Sequence, residues 1–132
     1  MKNYYFENIE KVTEQNENFR RVAWTGKHSQ VVLMSLPPGG EIGSETHPHV
    51  DQFFRIEKGE GEVIMNGEEK LFSEGFAFVV PAGTQHNLIN TGTGDLKFYS
   101  IYSPANHIDG RIHRTKEEAE ADVEDEKFGH QI

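Results

Sequence analysis

The chain has 132 residues, enough for one domain whose core closes without staples, and no cysteine, which removes disulfides, thiolate metal sites and cysteine nucleophiles. Its formal charge of −9 disfavours nucleic acid as a partner, because phosphate backbones would be repelled. The start, MKNYYFENIE, lacks the basic start and apolar run of a signal peptide, and no stretch approaches the ~20 apolar residues of a membrane span, so a cytoplasmic location is expected.

Residues 1–18 are polar and weakly periodic, with Ile9 and Val12 as the few anchors, and read as an arm packed against the body. From Phe19 the texture is β: FRRVAWTG and HSQVVLMSL flank Gly26-Lys27 at hairpin spacing, and Pro37-Pro38-Gly39-Gly40 stops the second strand. Short strands follow around 41–47, 52–58 and 61–65. Asn66-Gly67 then marks a type I′ turn, which needs positive φ at both central residues. Further strands are expected at 68–72, 76–80, 86–90 and 96–103, separated by Pro81-Ala82-Gly83 and Thr91-Gly92-Thr93-Gly94. Many short strands between Gly and Pro turns predict an all-β sandwich or closed barrel, one domain spanning 1–132 with its barrel at 19–103.

A helix is expected only at the end, over 115–127. Thr115 followed by Glu118 has the form of a capping box, and KEEAEADVEDEK after it favours helix. Seven acids against Lys116 and Lys127 place much of the negative charge there. The apolar stripe of Ala119, Val123 and Phe128 is thin, which suits a solvated helix docked by one edge rather than a partner-binding helix. The segment YSPANHIDGRIH, with Tyr102, His107 and His113, reads as a surface connection, with a lid over the barrel mouth as the alternative. Arg55 and Glu57 alternate away from Gln52 and are expected to face outward.

Glu45, His47 and His49 share one face if the strand stays extended through Pro48, and Gln52, Phe54 and Ile56 form another alternating set. Imidazole with carboxylate suits first-row divalent metals. A single strand His is more often a surface or hydrogen-bonded residue, and seven His in the chain make some clustering expected by chance, so composition alone leaves both readings open.

Two spacings carry more. Gly39, five residues, Glu45, one, His47, four, Gln52, six, Gly59 resembles the first motif of the cupin superfamily, whose order is Gly, His, His, Glu, Gly. Gly75, five residues, Pro81, one, Gly83, two, His86, three, Asn90 matches the second motif at every fixed position. The resemblance covers residues 39–90. It implies a double-stranded β-helix, or jelly-roll barrel, similar to the small microbial cupins grouped with mannose-6-phosphate isomerases.

It also implies a divalent metal (Mn, Fe, Ni or Zn) held by Glu45, His47, Gln52 and His86. Glu45 stands where most metal-binding cupins have the first His, and Gln52 where they have Glu, so the carboxylate has changed position and the affinity is expected to be low. A rival register pairs His47 with His49, but then the residue expected to be Gly is Glu41 and the downstream acid falls on Phe53 or Phe54. His49 is therefore read as a residue behind the ligands or an alternate ligand, with an exposed position at the barrel mouth as the plain alternative, and with Glu45 as a candidate to move protons. The resemblance leaves two functions open: a metal-dependent enzyme, isomerase or dioxygenase, acting on a small polar metabolite such as a sugar phosphate, or a non-catalytic sugar-binding module whose metal is structural or absent. Homodimerisation is expected from the edge strands of an open barrel.

Overall fold

A computed structural model describes residues 4–130; the first three residues of the expected arm lie outside it. Among the described residues nine strands make two antiparallel sheets: β1 (Arg20–Thr25), β2 (Gln30–Leu36), β3 (Asp51–Lys58), β4 (Gly61–Met65), β5 (Glu68–Phe72), β6 (Ala77–Val80), β7 (His86–Asn90), β8 (Leu96–Ser103) and β9 (Ile112–His113). The larger sheet runs β6-β3-β8-β2-β1-β9 and the smaller β5-β4-β7.

The hairpins follow their turn chemistry. Asn66 and Gly67 have φ of 50° and 82°, as the β4–β5 turn demands, and β1 meets β2 across a turn closed by Gly26 N–H donating to Ser29 O at 2.8 Å. Alternating inward residues of both sheets make the core, including Val32, Met34, Phe54, Ile56, Val63, Leu88, Leu96 and Phe98. Phe54 stacks on Phe78 at 5.0 Å between ring centroids, and burying such a side chain is worth about 1.5–3 kcal/mol. Gly61 is where the smaller sheet closes most tightly: a Cβ there would sit about 2.3 Å from the Ile89 carbonyl oxygen.

Four expectations change. The arm contains a helix, α1 (Ile9–Gln15), whose Asn8 side chain accepts from Lys11 N–H; it packs on β3 and β8, and the buried Lys97 ammonium donates to Asn16 O. Beneath it Glu57 keeps the outward alternation with Arg55, 3.3 Å away, but is buried rather than exposed, because α1 covers that face of β3. Residues 41–47 form no ladder strand. They run beside β7 with only two bridges, since Gly43 (φ 96°) leaves the extended region and gives its N–H to the Asn87 side chain. The terminal helix is two, α2 (Lys116–Ala121) and α3 (Val123–His130), broken at Asp122. Thr115 caps α2 by accepting from Glu118 N–H, while Glu118 reaches back to Arg114 N–H.

Candidate metal centre and its cavity

The backbone explains why two stretches 41 positions apart in sequence converge. Glu45 and His86 form an antiparallel hydrogen-bonded pair, each N–H donating to the other's carbonyl at 2.9 Å, so their side chains leave on the same face. His47, two residues on, returns to that face, and its carbonyl is fixed by Gly83 N–H at 2.9 Å. Gln52 comes from the opposite sheet, on β3 beside Tyr102 of β8.

Glu45, His47 and His86 each bring one donor atom within 4.8 Å of the others. The two imidazoles lie 5.3 Å apart between centroids. His86 Nδ1 is 3.0 Å from Thr84 O, which can only accept, so Nδ1 carries the proton and Nε2 keeps its lone pair. That Nε2 is buried and unpartnered. His47 Nε2 lies 3.0 Å from Glu45 Oε2 without the alignment of a hydrogen bond, and it too is buried without a partner. Gln52 donates Nε2–H to Ser100 Oγ at 3.1 Å, which leaves its buried Oε1 unpartnered. His86 Nε2 and Gln52 Oε1 are lone-pair atoms without a partner, and leaving such atoms dry costs about 1–3 kcal/mol apiece.

The electrostatics hold the set in ligand-ready form. Burial pushes the Glu45 carboxyl upward, but the adjacent His47 ring, aided by Arg20 and His86, outweighs it and keeps Glu45 below the ordinary glutamate value. Burial holds His86 below the ordinary imidazole value despite Thr84 and Glu45, so it stays neutral. Burial drives the Tyr102 phenol far up, and its hydroxyl remains protonated.

Glu45 and His47 open into a cavity of about 490 Å³ between the barrel and the C-terminal helices, while His86 and Gln52 lie outside its lining. Arg20, Glu45 and His47 line the barrel side; Asn106, Lys116 and Glu126 line the cap side. The segment after β8 is therefore a lid, not a surface connection: Asn106 and His107 are buried, and Gln30 Oε1 accepts both of their backbone N–H groups. His49 is exposed and outside the cavity lining, because Pro48 and His49 turn and end the alternation. Arg20 went unnoticed in the sequence, although a strand that alternates Arg20, Arg21, Val22 must turn one of its two arginines inward.

A second His and carboxylate group, His113, Asp122 and Asp125, also brings its donor atoms within 4.8 Å. Its carboxylate oxygens are occupied. Asp122 Oδ2 accepts from Arg111 Nε at 2.8 Å and lies 2.9 Å from His113 Nε2, and its Oδ1 accepts from Asp125 N–H at 3.1 Å. Asp125 accepts from Ile108 N–H and pairs with His107 Nδ1, both at 2.7 Å.

Two sheets closed as a double-stranded β-helix, with a His and Glu cluster under one mouth, define a class of small barrel proteins whose open end is the ligand site. The chain belongs to the cupin family, whose domain model matches residues 32–102. The Bacillus subtilis protein YrkC is 53% identical over 121 residues, covering 86% of this chain and 64% of that protein, so the chain spans just under two thirds of that relative's length. The crystal structure of BH2720 from Bacillus halodurans superposes with a TM-score of 0.87 at 46% identity, covering 89% of this chain and 93% of that one. A predicted oxalate decarboxylase from Thermotoga maritima is more distant, with a TM-score of 0.55 at 29% identity over 58% of this chain and 66% of that chain.

Proposed function

We propose that Glu45, His47 and His86, with the Gln52 amide oxygen, hold a divalent cation, and that the protein is a metal-dependent enzyme acting on a small polar metabolite such as a sugar or sugar phosphate. The observation that carries this reading is the pair of buried, unpartnered lone-pair atoms His86 Nε2 and Gln52 Oε1, with His86 Nε2 in one donor cluster with Glu45 and His47. Two imidazoles, one carboxylate and one amide oxygen suit Mn, Fe, Ni or Zn. A cation bound there supplies Lewis-acid polarisation of a carbonyl or enediol oxygen. Glu45 carries the one full negative charge of the donor set, and Thr84 fixes the His86 ring through Nδ1. The lid and the C-terminal helices limit water at the mouth. The likeness to a predicted oxalate decarboxylase supports chemistry on a metabolite in this barrel.

The test is metal analysis of the purified protein beside Glu45→Ala and His47→Ala, followed by turnover of sugar phosphates and oxygen uptake with candidate diols after reconstitution with each of the four metals. Stoichiometric metal that survives both substitutions sinks the site. The neutral Gln52 in a position where cupins carry a carboxylate favours a second reading, a binding module. Tight metabolite binding without turnover across the panel would establish that one instead.

A further inference from the structure

Arg20 occupies an inward position of β1, with core residue Val22 as its next inward neighbour and Met34 opposite it on β2. A guanidinium on the core face of a strand breaks the binary pattern and is costly unless something pairs with it. The residue is 7% exposed, and its Nε is buried without a hydrogen-bond partner. Its one close side-chain neighbour of note is the Phe19 ring, 5.2 Å from the guanidinium carbon. The nearby carboxylates are engaged elsewhere: Asp125 by His107 and Ile108 N–H, Glu45 beside His47. Both act on Arg20 through charge, yet neither forms an ion pair with it among the described residues.

We propose that Arg20 is the anchor for an oxyanion group of the substrate, a carboxylate or a phosphate, bound in the cavity beside the Glu45, His47 and His86 cluster. The guanidinium fork matches two oxygens of such a group, and a buried site removes the competition from water. Lys116 on the facing helix adds a second cation to the same cavity, and Asn106, 5% exposed with an unpartnered Oδ1, offers an acceptor for a neighbouring substrate hydroxyl. Glu120 and Glu126 at the rim oppose highly charged ligands, which favours a small anion with hydroxyl or carbonyl functions over a polyanion. The inference rests on this cavity being the substrate site proposed above; it does not need the metal to be present.

The experiment is calorimetric titration of the full chain with oxalate and, separately, inorganic phosphate, with metal content measured on the same samples. The wild type is expected to bind one of the two, and which one distinguishes carboxylate from phosphate recognition. Arg20→Gln is expected to weaken that anion at least about tenfold with its metal content unchanged, and Arg20→Lys, which keeps the charge but loses the fork, several-fold. A wild type that binds neither anion, or variants that bind as tightly as wild type, overturns the proposal. If both variants fail to fold, the wild-type crystal structure with the bound anion decides: an anion seated away from Arg20 overturns it. Anion binding that depends on Arg20 in a protein without metal would keep this inference while removing the metal reading.

Discussion

Two clusters in this molecule have the same ingredients and opposite character. Glu45, His47 and His86 at the barrel mouth, and His113, Asp122 and Asp125 under the C-terminal helices, each bring imidazole and carboxylate donors within 4.8 Å. In the second, the carboxylate oxygens already accept from Arg111, Ile108 N–H and Asp125 N–H and pair with His113 and His107. In the first, among the described residues the Glu45 carboxylate has only the 3.0 Å contact with His47 Nε2, and His86 Nε2 is buried with no partner, as His113 Nδ1 is in the second. Residue type, proximity and an unpartnered imidazole nitrogen therefore do not separate the two clusters; how far their carboxylate oxygens are already spent does. The clasp ties α2 and α3 to the segment after β8, so the cluster with spent carboxylates shapes the cavity that Glu45 and His47 line.

The sharpest way to break this contrast is to remove one donor from each side. His86→Ala is expected to abolish stoichiometric metal, a loss of at least about a hundredfold in affinity, whereas Asp122→Ala and His49→Ala leave metal content unchanged. Metal that follows Asp122 instead of His86, measured by elemental analysis after dialysis, would reverse the assignment of the two clusters. Stability responds the other way. Asp125→Ala leaves His107 and Ile108 N–H without their acceptor in a pair whose side chains are 8% and 5% exposed, and is expected to cost about 2–4 kcal/mol in chemical denaturation, as two buried donors lose their partner. A cost under about 1 kcal/mol would mean that the clasp does not hold the cap.

Acid should loosen the clasp. Burial, with Arg20 adding to it, holds His107 below the ordinary imidazole value against the pull of Asp125. The unfolded chain therefore binds the proton first, and stability falls as pH drops below about 6.5 toward the folded value. Hydrogen bonds from His113 and Arg111 hold Asp122 well below the ordinary carboxylate range. Asp125 is also lowered: burial raises it, but His107 and Ile108 N–H outweigh burial. These carboxyls contribute stability that is present above about pH 3.9 and is lost as pH falls through their folded values. A pH titration of helical circular dichroism should thus show weakening in two acid windows, and a cap with flat stability from pH 7 to 5 would contradict the His107 assignment.

Most of the barrel was legible because its turns are written in glycine, proline and Asn-Gly, and the ladder strands from β1 to β8 fall where alternation and turns place them. The two motifs were legible because their spacing measures the distance between neighbouring strands, so Glu45 and His86 meet as a bridge. What escaped depends on tertiary partners. Helix α1 has seven residues and is held through the docking of Thr13, Asn16 and Lys97, not by periodicity of its own. His49 follows the alternation on paper, but the turn at Pro48 removes it from the site. Arg20 is silent in sequence because Arg21, its neighbour, is as plausible an inward residue until β9 and β2 fix the register.

Gln52 makes the finest discrimination, because it lies between the two kinds of cluster. Its Nε2–H is spent on Ser100 and its Oε1 is not, so it is half clasp and half donor. Replacing it with Glu keeps the shape and the Ser100 contact, since the hydroxyl can donate where it now accepts, and adds a second carboxylate beside Tyr102, a residue on which Glu45 also acts through charge. Without metal, two buried like charges repel and one must take up a proton, which destabilises the protein. With metal, the added charge is neutralised, so the same substitution should tighten the cation by about tenfold, or 1.4 kcal/mol. Gln52→Glu is therefore expected to lower the melting temperature of the stripped protein and to widen the stabilisation that added metal gives. An unchanged metal affinity alongside unchanged apo stability would mean that Oε1 does not reach the cation, and that the donor set is Glu45, His47 and His86 alone.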